Sequence, residues 1–264
     1  MAELAGFRRA PLQIHDDNVV SAGTELLLED LSRCHRRDDE LALQQPNGLL
    51  AAGGDLSPGR LLDAYTQGIF PWFGRDDPLL WWSPDPRMVL HVSELRVSRS
   101  LRRTIRSARF RVTMDTAFAD VLSGCAEPRA GQDGTWITPE MHAAYGRLFE
   151  LGHAHSVEAW SGNRLVGGLY GVAIGRMFFG ESMFTRERDA SKVAFVHMAA
   201  QFGRWGMPLI DCQMPTSHLA SFGAREIPRT AFLDFVDELV RRSGPPVPWC
   251  LDEDLAKPLG TMSV

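Results

Sequence analysis

Between His155 and Gln213 the chain presents three strand-like runs, one long capped helix and a further apolar strand in close succession. His155-Ser156-Val157-Glu158-Ala159-Trp160 alternates with a period of two. A Gly162-Asn163 turn leads into Leu165–Val172, and Gly175 turns the chain into Met177–Phe184. Turn residues at those positions predict an antiparallel meander of three strands. Asp189-Ala190-Ser191 then caps a helix that runs to about Trp205, and Leu209-Ile210-Asp211-Cys212-Gln213 reads as a strand. A short helix near His218–Phe222 and a helix from Thr230 to Arg242 complete the pattern.

The chain before this block is less regular. Ser57-Pro58 opens a helix whose apolar positions Leu61, Leu62 and Tyr65 recur at helical spacing, and Gly68 closes it. Two proline-punctuated aromatic clusters follow, Ile69–Phe73 and Leu79–Arg87, which suit a shaped surface or an interdomain seam. We therefore expect an α+β protein with a small N-terminal domain over residues 1–86 and a larger domain over residues 87–264. In the second part Val97, Leu101, Ile105 and Ala108 fall on one face of a helix, Phe110–Met114 forms a strand, and Thr138-Pro139-Glu140 starts a helix ending at Gly152. The first 45 residues read as an extension with one short helix.

Composition narrows the function classes. With 44% hydrophobic and 23% charged residues, 264 residues can bury a full core. No apolar run reaches the ~18 residues needed to span a bilayer, and no basic-then-apolar leader opens the chain, so a cytoplasmic protein without membrane contact is expected. Cys34, Cys125, Cys212 and Cys250 stand far apart, which predicts reduced core thiols and no metal site. A net charge of −5 argues against indiscriminate nucleic-acid coating, yet Arg96–Arg111 carries seven arginines and no acid, while residues 16–40 are rich in acids.

Several residues could carry chemistry. Strand alternation puts Asp211 and Gln213 on one face, where both are either satisfied structural hydrogen-bonders or flank a reacting group. Glu181 interrupts a strand of bulky apolar residues, so its carboxylate needs an arginine partner or opens into a pocket that binds an amine. Arg99, Arg102, Arg103 and Arg106 share one helix face, which favours phosphate binding over a merely solvated face, without separating RNA from DNA or a small phosphate. Trp72, Trp81, Trp82 and Trp136 either pack in the core or stack on bases. No nucleophile elbow, P-loop, dinucleotide fingerprint or HExxH motif occurs.

Read as text, several segments resemble the bacterial leucyl/phenylalanyl-tRNA–protein transferases. They include Pro46–Pro58, Gly68–Phe73, Trp81–Arg87, Ser98-Arg99-Ser100, Thr135–Thr138, Leu151–Ser156, Gly180–Phe184 and Asp211-Cys212-Gln213. The similarity runs in order from about Pro46 to about Leu239. It implies a catalytic domain with the acyltransferase fold of the N-acetyltransferase superfamily. Arg186-Glu187-Arg188-Asp189 stands where that superfamily carries its Gly-rich coenzyme A loop, so neither coenzyme A nor any other cofactor is expected. The implied donor is aminoacyl-tRNA charged with Leu, Phe or Met, and the implied acceptor is a protein beginning with Arg or Lys. DNA is not implied as a partner, and no heptad or apolar stripe demands a dimer, so a monomer is expected.

The same resemblance assigns roles. Gln213 would contact the attacking amine and Asp211 would strengthen it, with the proton passing to Asp211, the ribose hydroxyl or water. Trp72 and Trp136 would hold the terminal adenosine, and Tyr145 would line the substrate site with them. Glu181 would lie near the donor's own amino group, and Leu169, Met183, Phe195 and Ile210 would wall the acyl pocket. Arg99, Arg102, Arg103 and Arg106 would bind the acceptor stem without reading its sequence. Met198 departs from the pattern, standing where the better-known members carry an aromatic residue.

Overall fold

The computed structural model describes residues 42–75, 77–128, 135 and 137–256. The acidic stretch over residues 16–40, Cys34 and Trp136 lie outside them.

A small antiparallel sheet comes first. Strands β1 (Leu49–Ala52) and β2 (Phe70–Pro71) flank β3 (Leu80–Trp82), and helix α1 (Pro58–Tyr65) connects β1 to β2. Trp81 and Trp82 are buried in it. The indole N–H of each donates to a main-chain carbonyl, that of Gly53 at 2.9 Å and that of Trp72 at 2.6 Å. These two tryptophans are therefore core rather than base-stacking platforms.

The second sheet has seven strands. They are β4 (Arg87–His91), β5 (Arg111–Met114), β6 (Ala154–Ser161), β7 (Arg164–Ile174), β8 (Met177–Thr185), β9 (Leu209–Gln213) and β10 (Arg225–Ile227). Their spatial order is β10-β4-β9-β8-β7-β6-β5, and every pair is antiparallel except β8–β9. The expected meander is thus β6–β7–β8. A parallel neighbour needs a crossover, and helix α5 (Ala190–Trp205) supplies it.

Helices cover both faces. On one, α3 (Phe118–Ala126), α4 (Pro139–Glu150) and α7 (Arg229–Leu239) share a core with α1 and the small sheet, and the short α6 (Ser217–Ala220) follows β9 in the chain. On the other, α2 (Arg99–Arg106) and α5 bury Leu101, Ile105, Val193, Phe195 and Phe202. One continuous cluster therefore ties the N-terminal strands to the large sheet.

Three local expectations change. Helix α2 stops at Arg106, and Ala108 sits exposed in a left-handed turn at φ 52° instead of on the apolar face. Asp189 precedes α5 but, at φ 69°, makes no side-chain cap; its carboxylate accepts from Thr104 Oγ1 at 3.2 Å and so ties α5 to α2. Cys125 and Cys212 are buried thiols, whereas Cys250 is exposed.

Candidate active site

The parallel ladder between β8 and β9 ends at the pair Phe179/Asp211. Beyond it Gly180–Thr185 stays with β7 while Cys212 and Gln213 stay with β4, so the two strands part. Two bulges sharpen the parting. Tyr170 opposes Ser182 and Gly171 opposes Gly180, which leaves Glu181 as the extra residue of β8. Likewise Met88 opposes Gln213 and Val89 opposes Asp211, which leaves Cys212 extra in β9.

The bulge at Glu181 inverts the alternation of β8. Met177 and Phe179 belong to the α4/α7 side before it, whereas Phe184 belongs there after it and Met183 faces the α5 side. A cavity of about 40 Å3 occupies the gap, walled by Leu169, Phe178, Met183, Phe195, Met198, Ile210, Cys212 and Leu219, with Glu181 and Asp211 also lining it. That is well short of the ~150 Å3 that accommodates a benzene ring, so a large apolar side chain enters only if the wall yields. Met183 and Met198 are the unbranched residues best able to yield.

Glu181 is the hub of the polar network. Tyr65 Oη donates to its Oε1 at 2.8 Å, Tyr145 Oη to its Oε2 at 2.9 Å, and Gln213 Nε2 to Oε1 at 2.9 Å. The two phenol oxygens lie 2.5 Å apart. With both phenolic protons given to Glu181 the Tyr–Tyr contact has no proton of its own; a protonated Glu181 closes the triangle by donating to one phenol, which then donates to the other. Burial acts in the same direction, pushing the Glu181 carboxyl from 4.5 up to about 7 against the lowering effect of its hydrogen-bond donors. Burial also holds both tyrosines well above the usual phenol range, so they remain donors.

Asp211 is engaged differently. It is completely buried, and its carboxylate accepts Arg87 Nε on Oδ1 at 2.8 Å and Arg87 Nη2 on Oδ2 at 2.7 Å. Oδ1 also accepts the main-chain N–H of Gln213 at 2.8 Å. Gln213 adopts φ 60°, a left-handed conformation uncommon for a residue with a side chain. Strand alternation alone does not bring Asp211 and Gln213 together; the bulge and this turn do.

The structure thus gathers Asp211, Gln213, Tyr145, Leu169, Glu181, Met183, Phe195 and Ile210 around one gap. Trp72 is half-buried edge-on against Trp82, with ring centroids 5.5 Å apart, and is not among the residues that wall the cavity. Arg99, Arg103 and Arg106 are exposed on α2, whereas Arg102 is partly buried and its Nε donates to Val97 O at 3.1 Å. The basic run is smaller than its sequence, because Arg109 pairs with Glu187 and Arg111 lies over the Trp160 ring.

Sequence reasoning offered an arginine as partner for Glu181; the arginine goes to Asp211 instead. Arg87 and Tyr65 escaped notice as site residues. Arg87 had a readable sign, a cation opening the apolar run Met88-Val89-Leu90, which needs a buried anion. Tyr65 had only its place on the apolar face of α1.

Comparison with known proteins adds an independent line. Residues 89–237 match the family described as leucyl/phenylalanyl-tRNA protein transferase, and residues 54–85 match that family's N-terminal domain. A protein named leucyl/phenylalanyl-tRNA–protein transferase in Thiobacillus denitrificans is 62% identical over 81% of this chain and 93% of its own length. Proteins of the same name in Chromobacterium violaceum and Aromatoleum aromaticum are 60% and 64% identical, over 79% and 73% of this chain and 89% and 81% of theirs. Among solved structures, L-PGS from Bacillus licheniformis is similar at a TM-score of 0.37 and 9% identity, covering 70% of this chain and 71% of its own, too distant to bear on the fold.

Proposed function

The chain belongs to the leucyl/phenylalanyl-tRNA–protein transferase family, and we propose that it moves Leu, Phe or Met from aminoacyl-tRNA to the N-terminal Arg or Lys of acceptor proteins, marking them for degradation. The observation that carries this reading is the gap between β8 and β9, where an apolar cavity meets a carboxyl, a buried carboxylate and an amide. The reaction forms an amide C–N bond and breaks the ester bond to the 3′ adenosine, whose oxygen leaves with a proton. An unperturbed α-amine has a pKa of ~7.7–8.0, so alignment of two substrates is most of the task.

In this reading the aminoacyl side chain enters the cavity between Leu169, Met183, Phe195 and Ile210. Contact with a Cβ-branched side chain would strain its rim. Glu181, held by Tyr65 and Tyr145, faces the donor's amino group, and a carboxyl near neutrality can meet either charge state of that amine. Gln213 spends its Nε2 on Glu181, which leaves the amide oxygen to accept from the incoming amine. Asp211 acts on Gln213 rather than on the proton, because its oxygens already serve Arg87 and the Gln213 main chain. The proton then passes to the ribose hydroxyl or water.

Trp72 and Trp136 frame the terminal adenosine, and Arg99, Arg102, Arg103 and Arg106 hold the acceptor stem. Residues 87–264 form the catalytic domain, for which we propose the acyltransferase fold of the N-acetyltransferase superfamily; the β8–α5–β9 crossover with its parting strands supports this. As the smaller domain we propose residues 1–86. No helix among the described residues is long and apolar enough to cross a membrane. Because charged tRNA is a cytoplasmic substrate, we assign the activity to that compartment; a monomer is proposed on the sequence ground that no heptad or apolar stripe demands a dimer.

Purified protein, phenylalanyl-tRNA and two peptides differing only in an N-terminal Arg or Gly test the proposal. Mass spectrometry should find one added phenylalanine on the Arg peptide alone, with neither ATP nor coenzyme A present. Intact charged tRNA and unchanged peptides, with leucine and methionine also tried, would overturn it.

A further inference from the structure

We infer that Arg87 is a positioning residue for the transfer step, acting through Asp211 on Gln213; the inference rests on the transferase reading above. Arg87 is completely buried at the start of β4, and its guanidinium lies between two rings, 4.7 Å from the Phe70 centroid and 4.5 Å from that of Phe232. Those rings come from β2 and α7, so the small sheet and the last long helix together fix the plane of the cation. Nε and Nη2 meet both carboxylate oxygens of Asp211, a fork-to-fork arrangement that sets the rotation of the carboxylate as well as its place. Nη1 has no hydrogen-bond partner among the described residues.

That rotation matters at one atom. Asp211 Oδ1 takes the main-chain N–H of Gln213 at 2.8 Å, and this bond holds Gln213 at φ 60°. The left-handed turn aims the Gln213 side chain at Glu181, where Nε2 sits 2.9 Å from Oε1. If the carboxylate rotates, the N–H loses its acceptor and the amide of Gln213 leaves its place beside the reacting amine. A lysine would keep the charge but would not fork onto two oxygens. Arg87 touches no substrate in this scheme, and its whole effect passes through geometry.

Two variants test it, measured beside the native protein for transfer of phenylalanine to the Arg peptide. Arg87→Lys keeps a cation opposite Asp211. Arg87→Met combined with Asp211→Asn removes both charges together, so no orphaned charge remains buried, and it keeps a carbonyl for the Gln213 N–H. For each we expect kcat to fall on the order of 10- to 100-fold, with KM for charged tRNA within about twofold and Tm above the assay temperature. Turnover by the native protein certifies the transferase premise, so a loss in Arg87→Lys speaks to Arg87 and a loss in the double variant to the Arg87–Asp211 pair. A folded variant whose kcat stays within about twofold of native would overturn the inference. So would a rate loss that tracks the unfolded fraction at the assay temperature, since that marks a merely structural ion pair.

Discussion

Two carboxyl groups share this site and are held in opposite ways. Asp211 faces a buried cation and a main-chain N–H, whereas Glu181 faces only neutral donors. The unpaired one is the one pushed up, to about 7. Its effect on stability follows by linkage. Between 4.5 and 7 the folded chain keeps a proton on Glu181 that the unfolded chain has released, so stability falls as pH rises through that window and levels off above it. The loss amounts to about 3 kcal/mol. Glu181→Gln has no such proton, so urea unfolding at pH 5 and pH 8 should show the native protein losing more stability than the variant. Equal losses in both would place the Glu181 carboxyl in the ordinary carboxylate range. None of this was legible from Glu181 in its strand. The sequence marks a carboxylate needing a partner, but Tyr65 and Tyr145 lie 116 and 36 residues away, and only the packing of α1 and α4 on the sheet delivers them.

At the scale of elements, the meander, α5 and β9 were readable because period-two alternation, Gly turns and a long helical run each act locally, although the cap read at Asp189 does not form. The bulges were not, since an extra residue exists only relative to its partner strand. Helix α3 was missed for a related reason: Gly124 in its last turn weakens the helical pattern, yet a Cβ there would stand 2.9 Å from the Phe184 ring, so close packing requires the glycine. Strands β1 to β3 are short, and one contains Pro71, which left only aromatic clusters to read. Gly171 offers a test of the bulge. A Cβ at that position would lie 2.3 Å from Phe179 O and 2.5 Å from Phe178 Cζ, beside the extra residue Glu181. Gly171→Ala should therefore destabilise by about 1–3 kcal/mol in urea unfolding and lower transfer, and an unchanged midpoint would show that the strand can yield there. Helix α2 offers another. Replacing Arg99, Arg103 and Arg106 by Gln should weaken tRNA binding and flatten its salt dependence by roughly one logarithmic unit of slope for each phosphate no longer neutralised. Binding that weakens with an unaltered salt slope would mean these arginines do not meet phosphates.

On the scale of the molecule, the site belongs to the joint between the two sheets. The small sheet contributes Phe70 against Arg87, α1 contributes Tyr65 against Glu181, and one apolar cluster runs beneath both. The aromatic clusters were read from sequence as a shaped surface or an interdomain seam; the buried Arg87–Asp211 pair behind them required the folded chain. Function then turns on one claim, that aminoacyl transfer happens where β8 and β9 part and that the amide of Gln213 aligns the attacking amine. Single-turnover transfer from pre-bound phenylalanyl-tRNA to an Arg-peptide, native protein against Gln213→Met, tests it most directly. The variant keeps the side chain's length and loses only the amide, so a rate lower on the order of 100-fold is predicted, with tRNA binding unchanged. A folded Gln213→Met protein that transfers at the native rate would contradict it.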